Sequence, residues 1–92
     1  MDSKRELDES LTKIARIVAE ATGFDGDVSV RIDISDPHEW VIEATFGESE
    51  RKFYARTLAE VQEAVESMVE WMLSVAGGGL PAAVVYGRIA QA

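Results

Sequence analysis

The sequence predicts an α+β domain of two layers: a helix, a three-stranded antiparallel meander and a second helix, with both helices on one face of the sheet and a short C-terminal helix or strand after them. Three observations carry that prediction. Apolar residues recur at three- and four-residue steps over 3–22 and again over 58–76. Between them, from Asp27, the period falls to two. Turn-forming residues then cut this period-two stretch into three short runs.

The first helix is expected from Ser3 to Thr22. Asp2 or Ser3 supplies the cap, and Glu6, Asp8 and Glu9 sit near the positive end of the helix dipole. Leu7, Leu11, Ile14, Val18 and Ala21 form its apolar stripe, and Gly23 closes it. Glu9 precedes Lys13 by four residues and Arg16 precedes Glu20 by four, the mixed pattern of a solvated face.

Val28, Val30, Ile32 and Ile34 alternate with Ser29, Arg31 and Asp33, which predicts a strand buried on one face. Ser35-Asp36-Pro37-His38 ends it, because proline donates nothing to a ladder and Asp before Pro favours a turn. A second strand follows over 39–46, with Trp40, Ile42, Ala44 and Phe46 on the core side. Gly47-Glu48-Ser49-Glu50 reverses the chain into a third strand over 51–56. The opposite face, with Ser29, Arg31, Asp33, Val41, Glu43, Thr45, Lys52, Tyr54 and Arg56, is left to solvent or a partner.

The second helix carries the strongest local signal. Thr57 followed by Glu60 has capping-box spacing, so the helix starts at Leu58. Leu58, Val61, Val65, Met68, Val69, Met72 and Ala76 form its stripe, and Gly77–Gly79 provides a stop and a hinge. After the glycines, Pro81 and the alanines favour a helix while Val84-Val85-Tyr86 favours a strand, and the helix is the reading taken. Residues 80–92 are too apolar for a free tail. They are expected to dock on the domain or on a second chain.

At 92 residues the chain is expected to form one domain, 1–92, with a single modest core. It holds no cysteine, which excludes disulfides and thiolate metal sites. No apolar run approaches the roughly 20 residues that span a bilayer, and no signal-peptide pattern opens the chain, so a soluble, cytoplasmic protein is expected. The net charge of −8 repels phosphates and anionic lipid. Direct nucleic-acid and membrane binding are therefore not expected, whereas a basic protein partner is.

Few residues offer chemistry. His38 is the only histidine and lies in a turn without a cysteine or a dedicated acid beside it. Asp25, Asp27, Asp33 and Asp36 lack the spacing of a calcium loop, and Gly77–Gly79 lacks the Lys-Ser/Thr of a phosphate loop. No two carboxylates are singled out as an acid–base pair. The expectation is a chain with no catalytic residue, no metal and no cofactor.

The helix–three strands–helix order resembles, in layout, the double-stranded-RNA-binding domain. That fold grips phosphates with lysines around the start of its second helix, and here the matching place reads Thr57-Leu58-Ala59-Glu60-Val61-Gln62-Glu63, with no base. The resemblance implies the topology and argues against the activity. In layout and acidity the chain also looks like small acidic phage inhibitors and acidic secretion chaperones, without a shared motif.

One surface stands out. Glu60, Glu63, Glu66 and Glu70 lie away from the second helix's stripe, with Ser67 and Ser74 beside them, and no lysine or arginine occurs from Leu58 to Ala76. Glu66 and Glu70 are a like-charge i, i+4 pair that costs a few tenths of a kcal/mol, about what a solvated face tolerates. Trp71 lies on the flank between stripe and glutamates, placed either to anchor a partner or to pack beneath 80–89. The sequence thus suggests a non-enzymatic acidic protein-binding module, an inhibitor or charge mimic engaging a basic surface. Glu63, Glu66 and Glu70 would steer, and Trp71 and Tyr86 would anchor. The alternative is a structural homo-oligomer subunit, self-associating through the C-terminal segment, or a designed scaffold without a natural ligand.

Overall fold

In a computed structural model describing residues 3–77 and 82–91, the chain forms α1 (Ser3–Thr22), β1 (Val28–Asp33), β2 (Trp40–Phe46), β3 (Ser49–Ala55), α2 (Leu58–Val75) and α3 (Ala82–Gln91). The expected cap at Asp2, the Gly78–Gly79 hinge and Leu80–Pro81 lie outside the described residues. The strands run antiparallel in the order β1-β2-β3, a meander. Helix α1 lies over β1 and α2 over β3 and β2, giving the expected two layers, while α3 settles against α1 and α2.

Local chemistry sets the joints. Helix α1 ends in a Schellman closure: Gly23, at φ 72°, donates to the Glu20 carbonyl at 3.4 Å and Phe24 donates to the Ala19 carbonyl at 2.9 Å. Phe24 then stacks on Phe46, centroids 4.2 Å apart. The β2–β3 turn is two residues, Gly47-Glu48, and only Gly47 has positive φ, at 67°, the signature of a type II′ hairpin. The third strand therefore starts at Ser49, two residues before the expected Arg51. At α2, Thr57 Oγ1 accepts the Glu60 N–H at 3.2 Å. The Glu60 carboxylate reaches one residue past the cap, accepting the Arg56 N–H at 2.7 Å.

The core joins Leu11, Ala15, Val18 and Ala19 of α1, Val30, Ile32, Ile42, Ala44, Phe46 and Phe53 of the sheet, Ala64, Met68, Val69, Met72 and Leu73 of α2, and Val85 of α3. Both stripes are thus turned slightly from the expected ones. Ala15, Ala19 and Ala64, small enough for close approach to the sheet, are buried, while Leu7 and Leu58 are 42% and 78% exposed. Leu7, in the second turn of α1, and Leu58, at the start of α2, lie at the rim of the sheet, where β1 has ended and Ile34 is also exposed. Trp40, expected in the core, opens β2 at this rim and is half-buried.

The two sheet edges are treated differently. Thr12 Oγ1 of α1 donates to the Val30 carbonyl at 2.9 Å and accepts the Val30 N–H at 3.1 Å, and Asp8 Oδ1 accepts the Ile32 N–H at 2.7 Å. One turn of α1 thereby satisfies the outward backbone of β1 as a neighbouring strand would. Among the described residues no strand lies beyond β3.

Candidate functional site

The exposed crest of α2 carries the predicted site, and tertiary packing divides it. Residues 66 and 70 lie on the flank that faces α3, where Tyr86 stands half-buried. Burial pushes the Tyr86 phenol above the ordinary tyrosine range, and the Glu66 and Glu70 carboxylates push it further, because a phenolate there would be desolvated and repelled. Glu66, Glu70 and Tyr86 thus lie together, whereas the sequence sets Glu66 and Glu70 with Glu63 and names Tyr86 as an anchor beside Trp71.

Glu63 and Trp71 fall on the other flank. The half-buried Trp71 indole meets Phe53 of β3 edge-on, centroids 6.1 Å apart at 64°, so its contact is with the sheet. The Arg51 guanidinium lies 5.4 Å from the same Phe53 ring centroid. Glu63 and Glu60 border a groove of about 380 Å³ between α2 and the β3 edge, whose strand wall is Lys52, Phe53 and Tyr54.

The absence of any lysine or arginine from Leu58 to Ala76 sets this helix apart. Three carboxylates elsewhere meet cations: Glu9 with Arg5 at 3.3 Å, Glu39 with Arg56 at 3.7 Å, and Glu43 with both Arg31 at 3.5 Å and Lys52 at 3.8 Å; the exposed Glu6, Glu20, Glu48 and Glu50 have no ion pair among the described residues. Among the described residues Glu63, Glu66 and Glu70 have no ion-pair partner. The Arg31–Glu43–Lys52 row crosses the open sheet face in register and lines a shallow concavity of about 390 Å³. Its solvated pairs each contribute little stability.

The turn acids act on backbone. Asp33 Oδ1 accepts the Ser35 N–H at 3.0 Å and its hydroxyl at 2.7 Å, and Asp36 Oδ1 accepts the His38 N–H at 2.8 Å, leaving His38 exposed. Among the described residues no three His, Asp or Glu side chains converge as metal ligands, and no helix is long and apolar enough to cross a membrane. At the far rim, Leu7, Ile32, Ile34, Trp40, Leu58 and Val61 line an apolar dimple of about 240 Å³.

Sequence reasoning overlooked the β3 edge and Phe53. The alternation of Phe53 and Ala55 with Lys52 and Tyr54 marks a strand, but only the strand order identifies it as the unprotected one. In comparisons with known proteins, no family model matches the chain, and no curated protein or solved structure gives a significant match.

Proposed function

We propose that this chain is a non-enzymatic protein-binding module that presents the glutamates of α2 to a basic surface of a partner. The observation that carries this reading is the concentration of one charge on one helix: Glu63, Glu66 and Glu70 are exposed on α2, no Lys or Arg occurs from Leu58 to Ala76, and none of the three meets a cation among the described residues. Such a face speeds encounter with a positively charged partner more than it tightens the complex. The short-range binding energy then falls to aromatic surface beside the acids, Tyr86 next to Glu66 and Glu70 and the exposed part of Trp71. An acidic helix of this kind suits a charge mimic that occupies the basic groove of a nucleic-acid-binding protein.

The test compares the wild type with Glu63→Lys, Glu66→Lys, Glu70→Lys, first in cross-linking capture of partners and then in binding kinetics at two salt concentrations. The association rate of the variant is expected to fall about tenfold or more, with most of its salt dependence lost. Equal rates and equal salt dependence overturn the proposal.

A second reading, self-association, draws on the dimple around Leu58, the most exposed large apolar side chain among the described residues. A dimer mass by light scattering that reverts to monomer in Leu58→Glu supports it; a concentration-independent monomer excludes it.

A further inference from the structure

The pairing of the sheet determines which backbone groups of β3 are free. In an antiparallel ladder, directly opposed residues either exchange both hydrogen bonds or exchange none. Val30 opposes Ala44, yet the Val30 N–H and carbonyl turn outward to Thr12, so this is a pair that exchanges none. Ala44 and Ile42 therefore aim their backbone groups at β3, where they oppose Arg51 and Phe53. Glu50, Lys52 and Tyr54 alternate with these, so their N–H and carbonyl groups point away from the sheet, into the open edge. The opposite edge is plugged by Asp8 and Thr12; this one has no strand or capping side chain among the described residues and borders the groove whose far wall is Glu60, Glu63 and Ser67.

We infer that the β3 edge is a docking site for an extended basic peptide segment of a partner protein, which adds as a fourth strand beside β3 and sets its cationic side chains against Glu60 and Glu63. The inference rests on the reading of α2 as an acidic binding face and specifies how a partner engages it. Strand addition draws affinity from main-chain bonds and specificity from alternate side chains. On the helix side of the added strand, the residue level with Phe53 meets Glu60 and Glu63 across the groove, which favours lysine or arginine there, while the position level with Arg51, whose guanidinium already lies over the Phe53 ring, favours a neutral side chain.

Charge selects this occupant over a second copy of the chain. Antiparallel pairing of β3 with itself about Lys52 sets Lys52 against Lys52. It also brings two helices without a single cation to the same seam, on a chain already at −8. The charged run Glu50-Arg51-Lys52 further discourages indiscriminate strand pairing.

The probe is a capped peptide alternating lysine and threonine, matched in length to β3, together with two isomers N-methylated on alternate residues so that one or the other backbone edge is blocked. Titration is followed by backbone amide NMR. The parent peptide is expected to shift the Glu50, Lys52 and Tyr54 amides and slow their hydrogen exchange. One methylated isomer should bind about tenfold or more weakly while the other binds like the parent, because each lost bond is worth roughly a factor of two to ten. Lys52→Pro, which removes an N–H that the β2–β3 ladder does not use, should weaken the parent peptide similarly while the remaining spectrum keeps its dispersion. If both isomers bind equally and only α2 amides shift, the helix attracts the cations and strand addition is overturned while the broader reading stands. If the parent peptide shifts neither element, both fall.

Discussion

Asp8 Oδ1 accepts the backbone N–H of Ile32 at 2.7 Å, joining α1 to β1 across 24 positions of sequence. With Thr12 one turn further along, it makes a helix face the covering of a strand edge. Asp8→Ala leaves the Ile32 N–H without this acceptor at a part-buried site and is expected to cost about 1–2 kcal/mol. Urea denaturation should show a lower midpoint with an unchanged slope. Thr12→Val, close in shape, removes both Val30 bonds, and the uncovered edge should add concentration-dependent self-association visible by light scattering.

Phe24 couples a helix end to a hairpin. A Cβ built on Gly47 meets Phe24 Cζ at 2.7 Å, and Gly47 also sits at φ 67°. Gly47→Ala is expected to cost about 1–2 kcal/mol for the left-handed backbone alone, with the ring contact added. In a Phe24→Ala background only the backbone part remains. A double-mutant cycle should therefore give a coupling energy of about 0.5–3 kcal/mol; additivity within experimental error contradicts the contact.

The entry to α2 depends on two side chains. Thr57→Ala removes the acceptor for the Glu60 N–H and should lower stability by about 1 kcal/mol. Glu60→Ala frees the Arg56 N–H, which lies outside the helix, and should lose less, since Thr57 satisfies one of the helix's own unpaired first-turn N–H groups. Thermal unfolding of both variants checks the order.

Tyr86 gives the chain an alkaline signature. Its phenol titrates above the ordinary range in the fold, through burial first and Glu66 and Glu70 second, so the neutral form is favoured when folded. Its contribution is fully present below the unfolded-chain value near 10.0 and is lost as pH rises through the folded value, because the unfolded chain ionises first. Ultraviolet titration in a Tyr54→Phe background isolates this group. Glu66→Gln, Glu70→Gln should shift the transition downward; an unmoved transition removes these carboxylates as a cause.

Much of the fold was legible because its determinants are local. The 3.6-residue and two-residue periods, the Thr57–Glu60 cap, Gly23 and the Gly47 turn act within a few residues, and the element order follows from them. The candidate site was only partly legible. Helical spacing put Glu63, Glu66 and Glu70 on one exposed side, but whether each faces α3 or β3 depends on neighbours distant in sequence.

The sequence by itself determined the elements, the meander, the two-layer stacking and an acidic helix without cations, since period, capping and charge are properties of short stretches. Only the tertiary structure decided the rest. The final segment, where local propensities were balanced, became a helix whose Val85 is buried among other elements. Leu58 and Leu7 were left at the rim because the sheet ends beneath them. One edge was closed by Asp8 and Thr12 and the other left open, because which strand lies outermost, and which helix lies beside it, depends on contacts that no short stretch of sequence encodes.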